Sequence, residues 1–246
     1  MKTQTIKLIA LDMDGTLLND DHTISEQNRL AIKEAQDKGI TVIISTGRPL
    51  AHCKDIADSL RLSTYLITVN GSEIWDDQLN IIDRTIVDTK HIELMWGLSQ
   101  KHKTLFWAST VGAVWNSNTT FPDNINEHEW LKFGFDIEDD DVRGVILKEL
   151  KENKVLEVTN SSPTNIEVNA AGINKAAAIQ KVCKRLGLSM DQVMAVGDSL
   201  NDLAMIQLSG VGVAMGNAQP IVKESADWIT DTNINDGVAK AIRYWT

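Results

Sequence analysis

The chain has 246 residues, of which 43% are hydrophobic and 24% charged, and its formal net charge is −10. These values are typical of a folded globular protein and argue against nucleic acid as a partner. No apolar stretch reaches the roughly 18 residues of a membrane span, and Asp12 interrupts the apolar core that a signal peptide needs. The isolated cysteines Cys53 and Cys183 are typical of reduced thiols. We therefore expect a cytoplasmic protein with no membrane partner, and the sequence leaves its oligomeric state open.

The first apolar run, residues 6–11, ends in two carboxylates, Asp12 and Asp14, with Gly15 directly after them. A short aliphatic run of this kind is typical of a buried parallel strand, and ligands bind at the carboxyl ends of such strands. Two acids this close repel each other unless a cation lies between them or one binds a proton. A divalent cation with oxygen ligands satisfies this condition. An EF-hand is excluded, because residues 16–18 are largely apolar where that loop needs polar ligands.

Strands and helices alternate in the first part of the chain. After the first strand, the patterns predict a helix over 25–38, a strand over 40–45, a helix over 49–60 and a strand over 65–69. Gly39 follows the first of these helices, and Pro49 begins the second. This alternation predicts a doubly wound parallel sheet.

The pattern changes after about Asp83 and returns near Ile173. In between we predict a helix over 89–102, strands over 104–108 and 112–116, a loop or short helical turn over 117–129, a strand over 131–137, a helix over 139–152, and a hairpin of strands 155–159 and 165–168. Helices over 175–187 and 236–244 and strands over 192–196, 211–215 and 227–230 then follow. The predicted fold is α/β: a Rossmann-like core, residues 1–83 and 172–246, with an α+β domain, residues 84–171, inserted into it.

Several predicted core elements begin or end in residues that suit phosphoryl transfer: Asp12 and Asp14, then Thr46-Gly47-Arg48, then Lys175, then Gly197-Asp198-Ser199-Leu200-Asn201-Asp202. Acids that hold a metal, together with a hydroxyl, backbone amides and a lysine, offset and orient the charge of a phosphoryl group. Each feature alone has a simpler explanation: a strand-end turn at Thr46, a surface lysine at Lys175, or a helix cap at Ser199. Their joint occurrence at strand ends favours a phosphoryl-transfer site.

These four segments resemble, in order, the four signatures of the haloacid dehalogenase superfamily, and the chain is similar to its Cof-type phosphatases. The resemblance implies that Asp12 is the nucleophile, which forms an aspartyl-phosphate, and that Asp14 is the general acid and base. It implies a Mg²⁺ ion held by Asp12, the Asp14 carbonyl and Asp198, with Asp202 bound directly or through water. It also implies that the phosphoryl group is bound by the following residues: Met13 through its amide, Thr46, Gly47, Lys175 and Asn201. Arg48 contacts either the substrate or an ion-pair partner.

The family places a mixed α/β cap between its second and third signatures. The separation of Asp14 from Thr46 is too short to contain such a domain. The separation of Thr46 from Lys175 is long enough to contain it. The insert contains Trp96, Trp107, Trp115 and Trp130. We expect most of them in its hydrophobic core and one, such as Trp115 near a strand end, in the substrate pocket.

The function predicted from these observations is that of a Mg²⁺-dependent phosphatase. Its substrate is a small phosphate ester: a sugar phosphate, a nucleotide or a flavin-pathway phosphate. One alternative is a phosphomutase of the same superfamily, which shares the core residues. A more remote alternative is a non-enzymatic phospho-receiver, which would need neither the insert nor the signature around Asp12.

Overall fold

The computed structural model describes residues 5–62 and 64–246. Residues 1–4 and Ser63, which belong to the predicted first core segment, lie outside the described residues. None of the helices in the described part of the chain is both long and apolar enough to span a membrane.

The larger sheet has eight strands in the described residues, in the order β13-β12-β11-β1-β2-β3-β4-β5. Their bounds are β1 Leu8–Leu11, β2 Thr41–Ser45, β3 Leu66–Thr68, β4 Glu73–Trp75, β5 Ile81–Arg84, β11 Val193–Gly197, β12 Val211–Ala214 and β13 Trp228–Ile229. The strands from β13 to β3 are parallel, and β4 and β5 extend the sheet as an antiparallel edge. The chain winds outward in both directions from β1, so the doubly wound prediction is confirmed. In such a sheet, ligands bind where the strand order reverses, at the carboxyl end of β1.

Helices cover both faces of this sheet: α1 Glu26–Asp37, α2 Lys54–Ser59, α5 Lys175–Leu186, α6 Leu203–Leu208, α7 Pro220–Ser225 and α8 Gly237–Trp245. Successive residues of β1 point to opposite faces, as a strand requires. Ile9 and Leu11 pack in the cluster that contains α1 and α8, whereas Leu8 and Ala10 pack in the cluster that contains α5. Burial on both faces explains why the β1 sequence is uniformly apolar.

The second sheet has five antiparallel strands in the order β7-β6-β8-β10-β9. Their bounds are β6 Leu105–Thr110, β7 Ala113–Asn116, β8 Trp130–Asp136, β9 Leu156–Thr159 and β10 Asn165–Ala170, and two helices accompany them, α3 Thr89–His102 and α4 Asp140–Glu152. We call this segment, from α3 to β10, the insert. Phe106, Phe133 and Phe135 pack with α3 and α4 in one hydrophobic cluster. The alternate residues of β6 and β8, which include Trp107 and Lys132, therefore lie on the opposite face of the sheet.

The structure differs from the sequence prediction in several places, and the short helices α6 and α7 are not among the predicted elements. The predicted helix over 49–60 is interrupted: a 3₁₀ turn, Leu50–His52, is separated from α2 by Cys53, whose φ of −133° is not helical. Strands β4 and β5 were not predicted. They are three and four residues long, and Glu73, Asp83 and Arg84 lie in them, so neither has an apolar pattern.

Candidate active site

The loop after β1 presents the first pair of acids. The amide of Asp12 donates a hydrogen bond to the Val196 carbonyl on β11 (3.0 Å), and the Leu18 amide donates to the Met13 carbonyl (2.9 Å). Gly15 lies between them with a φ of +75°, and a Cβ there would lie 2.7 Å from Asp198 Oδ2. A side chain at this position is therefore excluded both by the backbone conformation and by the neighbouring carboxylate.

Three carboxylates meet beneath this loop. One oxygen from each of Asp12, Asp198 and Asp202 lies within 4.8 Å of the others. Lys175, the first residue of α5, is fully buried beside them: its Nζ donates to Asp12 Oδ1 (2.5 Å) and to Asp202 Oδ1 (2.6 Å). Thr16 Oγ1 donates to Asp198 Oδ1 (3.0 Å). The structure thus brings three predicted acids and the predicted lysine into one cluster.

The electrostatics of this cluster show a shortage of positive charge. Burial, followed by the charge of Asp202, holds the pKa of Asp12 well above its usual range. The same two causes raise the pKa of Asp198 to about 6. Burial alone would lower the pKa of Lys175, but the charges of Asp12 and Asp202 outweigh it and raise that pKa. Carboxylate oxygens in such a cluster fit a divalent cation with oxygen ligands.

Asp202 is engaged through both of its oxygens. Oδ1 accepts from Lys175, whereas Oδ2 accepts from the backbone amides of Asp198 (3.0 Å) and Ser199 (3.1 Å). Asp202 is completely buried. Its carboxylate therefore stabilises the backbone turn at Asp198 and Ser199, which places the Asp198 carboxylate near that of Asp12.

The second predicted segment follows β2. Thr46 is buried, and its hydroxyl accepts a hydrogen bond from the Arg48 amide (3.1 Å). The Arg48 guanidinium binds both oxygens of Asp14, with Nε 2.8 Å from Oδ2 and Nη2 in close contact with Oδ1. Of the two roles open to Arg48, the structure therefore contains the ion pair. Asp14 is not one of the acids whose oxygens lie within 4.8 Å of one another.

A cavity of about 330 Å³ lies between the core sheet and the insert. The core side is lined by Asp12, Asp14, Gly47, Arg48, Pro49, His52, Asp198, Ser199 and Asn201, and the insert side by Trp107, Ser109, Val114, Lys132, Ser161 and Glu167. Six predicted site residues thus share this cavity. The other four, Met13, Thr46, Lys175 and Asp202, are completely buried and do not line it.

A buried polar network on the insert side was not predicted. Lys132 Nζ donates to the Gly47 carbonyl (2.8 Å) and lies 3.4 Å from Glu167 Oε1. Glu167 also accepts from Asn70 (2.6 Å) and Ser161 (2.9 Å). Burial alone would raise the pKa of Glu167, but the Lys132 charge and these hydrogen bonds outweigh it and lower that pKa. The sequence signal was a single lysine among the buried residues of strand β8, whose only other charged residue, Asp136, is exposed at its end.

The turn between β9 and β10 rests on the core. Ser199 Oγ donates to the Ser161 carbonyl (3.1 Å), and the Asn201 amide donates to the Asn160 carbonyl (3.0 Å). Gln219 Nε2 donates to Asn160 Oδ1 (3.1 Å). The insert thus contacts the same loop that carries Asp198.

The tryptophan expected in the pocket, Trp115, does not line the cavity, whereas Trp107 does. Trp115 pairs directly with Ala108 across β6 and β7, and opposed residues in an antiparallel pair share one face of the sheet. Ala108 lies in the hydrophobic core of the insert, so Trp115 packs there too. Trp96 and Trp130 also belong to this core, as expected.

The profile of the family described as haloacid dehalogenase-like hydrolase matches residues 9–242. The chain belongs to the haloacid dehalogenase-like hydrolases. The resemblance seen in the four signatures is therefore confirmed, and so is the predicted α/β fold.

Two curated hydrolases of Bacillus subtilis (strain 168) resemble the chain over nearly its whole length. The 5-amino-6-(5-phospho-D-ribitylamino)uracil phosphatase YcsE is 66% identical over 98% of this chain and 96% of its own. YwtE, a phosphatase with the same named substrate, is 30% identical over 95% of this chain and 96% of its own.

Solved structures agree in fold. A haloacid dehalogenase-like hydrolase from B. subtilis superposes with a TM-score of 0.89 at 25% identity, over 97% of this chain and 99% of its own. The phosphatase BT1666 from Bacteroides thetaiotaomicron gives a TM-score of 0.83 at 27% identity, over 99% and 96% respectively. Together with the sequence relatives, these matches show that the chain is a phosphatase of small phosphorylated metabolites.

Proposed function

We propose that this hydrolase dephosphorylates 5-amino-6-(5-phospho-D-ribitylamino)uracil, the substrate named for YcsE. The 66% identity to YcsE, over 98% of this chain, is the observation that carries the proposal. We refer to this compound as the ribitylaminouracil phosphate. Of the three substrate classes left open by the sequence, this one is the flavin-pathway phosphate.

We propose that Mg²⁺ is the metal cofactor, held by Asp12, Asp198 and the Asp14 carbonyl. The clustered carboxylates and the raised pKa values of Asp12 and Asp198 support this assignment. When bound, the ion would offset the charge of the phosphoryl oxygens and of the acids. Asp202 acts through its neighbours, because Lys175 and two backbone amides already occupy its oxygens. It is therefore a positioning residue, and any contact of Asp202 with the metal would run through water.

In the proposed first step, an Asp12 oxygen attacks phosphorus while the bond to the ester oxygen breaks. An aspartyl-phosphate forms, and the leaving ester oxygen takes a proton from Asp14. Asp14 lines the cavity, where it can reach this oxygen, but it must first exchange Arg48 for the leaving group. In the second step, Asp14 takes a proton from water as the water oxygen attacks phosphorus. The bond between phosphorus and the Asp12 oxygen breaks, which releases inorganic phosphate and restores the Asp12 carboxylate.

The phosphoryl group is bound, in this proposal, by residues predicted from the four signatures. Lys175, already beside Asp12, supplies positive charge close to the reacting carboxylate. Asn201 and Gly47 reach the cavity directly. The Thr46 hydroxyl and the Met13 amide lie behind its surface and complete the set. Donors fixed in this way stabilise charge that develops on phosphoryl oxygens without having to reorganise.

The test is a hydrolysis assay with the purified chain, Mg²⁺ and a panel of phosphate esters. We expect the ribitylaminouracil phosphate to give the highest kcat/KM, with equal amounts of inorganic phosphate and dephosphorylated product. Chelation with EDTA should remove this activity, and added Mg²⁺ should restore it. Another ester hydrolysed faster would overturn the substrate proposal, and activity that survives chelation would overturn the metal proposal.

We also propose that the chain acts in the cytoplasm on a small molecule, without nucleic acid or membrane. Its two cysteines, Cys53 and Cys183, are free and buried, which fits a reducing compartment.

A further inference from the structure

Trp107 has a different environment from the other tryptophans of the insert. Trp96 stacks on Phe121 with ring centres 4.2 Å apart, Trp130 is completely buried, and Trp115 packs in the hydrophobic core. Trp107 belongs neither to that core nor to any aromatic pair among residues 5–62 and 64–246, and it lines the cavity above Asp12.

The position of the Trp107 ring depends on Gly134. The two residues pair directly across β6 and β8. Ring atoms Cε2, Cζ2 and Cδ2 lie 2.2, 2.3 and 2.7 Å from the place that a Cβ on residue 134 would take. Cε2 and Cδ2 are shared by the two rings of the indole, so their bonded neighbours block any approach within the ring plane. A close approach to both atoms is therefore possible only from a face of the ring. One face of the indole therefore lies flat on the backbone of β8.

A glycine within a buried strand weakens that strand, because it adds no packing and more conformational freedom is lost on folding. Here the missing side chain makes space for the indole. Since one face of Trp107 is covered by β8 and the residue lines the cavity, the other face is turned toward the cavity. Val114 lies nearby, because it pairs with Ser109 on the same face of the sheet and also lines the cavity.

We propose that Trp107, supported by Gly134, is the platform on which a planar heterocycle in the leaving group stacks. Planar rings stack on aromatic side chains through their faces, and the alcohol half of the ester must extend from Asp12 toward the insert. The polar pair Lys132 and Glu167 lines the same cavity and is suited to hydroxyl groups between ring and phosphate. This inference rests on the proposed function for its ring-bearing substrate.

The test compares two kinds of phosphate ester with wild type and variants. Ring-bearing esters are the ribitylaminouracil phosphate, FMN and UMP, and ring-free esters are ribitol 5-phosphate and erythrose 4-phosphate. The measured quantity is the ratio of kcat/KM for the best ring-bearing ester to that for the best ring-free ester. We expect Trp107→Ala to lower this ratio about tenfold, the effect of losing one stacked ring. Trp107→Phe should retain most of the ratio.

Two further variants separate stacking from folding. Gly134→Ala leaves Trp107 in the chain but places a Cβ where the ring lies, so the ratio should fall here as well. The control is Trp96→Phe, in the core of the insert, which should leave the ratio unchanged. A second readout is tryptophan fluorescence in the Asp12→Asn variant, which should bind the esters without hydrolysing them. Ring-bearing esters should quench this fluorescence, and the double variant Asp12→Asn, Trp107→Phe should lose most of the quenching.

The possible outcomes distinguish this inference from the proposed function. If wild type hydrolyses the ribitylaminouracil phosphate but Trp107→Ala leaves the ratio unchanged, the platform is wrong and the function stands. If FMN or UMP is hydrolysed in its place and the ratio still falls, the function is wrong and the platform stands. A wild type that hydrolyses only ring-free esters overturns both. Should Trp107→Ala fail to fold, unchanged quenching in Trp107→Phe overturns the platform, and lost quenching supports it.

Discussion

The contacts of single side chains explain how so many charges are tolerated at one place. Lys175 is fully buried at the start of a helix, where the helix dipole disfavours a cation. Its ammonium is stabilised because it donates to Asp12 and Asp202 together. A buried charge is acceptable when it is paired in this way and costly when the partner is removed.

Asp12→Asn should lower kcat by at least about a thousandfold, because an amide has nearly the shape of a carboxylate but is not a nucleophile. Lys175 keeps its second carboxylate, Asp202, so the variant should remain folded. Steady-state kinetics and circular dichroism measure the two effects. A residual rate of a few per cent, with contamination excluded, would assign the nucleophile to another group.

Asp202→Asn should lower the free energy of unfolding by about 3 kcal/mol, since it breaks a buried ion pair. Both Asp202 oxygens accept hydrogen bonds, and an amide places a donor against either Lys175 or the backbone amides. Urea unfolding without added metal gives the measurement. The matched control is Asp37→Asn, an exposed member of a surface pair with Lys33, which should change stability by less than about 0.5 kcal/mol. Equal effects in the two variants would contradict the positioning role.

The strands of the insert carry a second pair of charges, and this pair gives a pH prediction. The pKa of Glu167 is lower in the folded protein than its usual value, so the carboxylate stabilises the fold above the unfolded pKa of about 4.3. This contribution is lost as pH falls from there through the folded pKa. Glu167→Gln should therefore be less stable than wild type at pH 7, with a difference that shrinks in acid.

Urea midpoints of both proteins between about pH 7 and pH 3 test this dependence. Lys132→Met is the partner variant, and the double variant Lys132→Met, Glu167→Gln should recover part of the loss, because no buried charge is then unpaired. A stability difference that stays constant across this range would contradict the ionised state of Glu167.

The pattern of hydrophobic residues along the sequence was sufficient to predict most strands and helices. The strands over 6–11 and 192–196 were predicted because burial on both faces leaves a continuous apolar run. Helices α1 and α5 were predicted as helical segments that end at Gly39 and Gly187. Strands β4 and β5 were missed because an antiparallel edge strand is short and carries charge. The break at Cys53 was missed because it depends on tertiary packing rather than on a proline or glycine.

The core half of the site was predictable because its residues follow strands whose carboxyl ends meet at one edge. The half of the site that the insert contributes could not be predicted from the sequence. Period-two alternation separates the two faces of β6 and β8, but it does not say which face meets the cavity. Lys132 and Glu167 meet only because β10 pairs with β8, and no local pattern specifies that pairing. The same limit explains why Trp115 was chosen in place of Trp107.

Considered as one molecule, the protein has its cavity between two sheets, and residues from both parts of the chain line it. The clustered acids come from the core, together with the other residues that line its side of the cavity, and the opposite side is lined by residues of the insert. Two crossings join the insert to the core, and Gly172 in the second has a φ of +73°. This arrangement suits a cap that opens and closes by a hinge.

Exchange of residues 84–171 for the corresponding segment of a phosphatase of this family that acts on a different substrate should reorder the preferred substrates while Mg²⁺ dependence is retained. The reason is that the exchange replaces the whole insert side of the cavity and leaves the clustered acids Asp12, Asp198 and Asp202 in place. Relative kcat/KM values over a panel of phosphate esters, with and without EDTA, provide the measurement. A folded chimera with the original substrate order would place specificity in the core, with Arg48 and Asn70 as the next residues to vary.

The hydrogen bond between Thr16 and Asp198 joins residues 182 positions apart. During synthesis, the proposed nucleophile Asp12 therefore leaves the ribosome long before Asp198, which lies beside it in the folded protein. A nascent or truncated chain that ends before β11 contains Asp12 but lacks both Asp198 and the strand that orders it. We expect such a fragment to be catalytically silent, so that activity first arises after residue 198 has been added and folded.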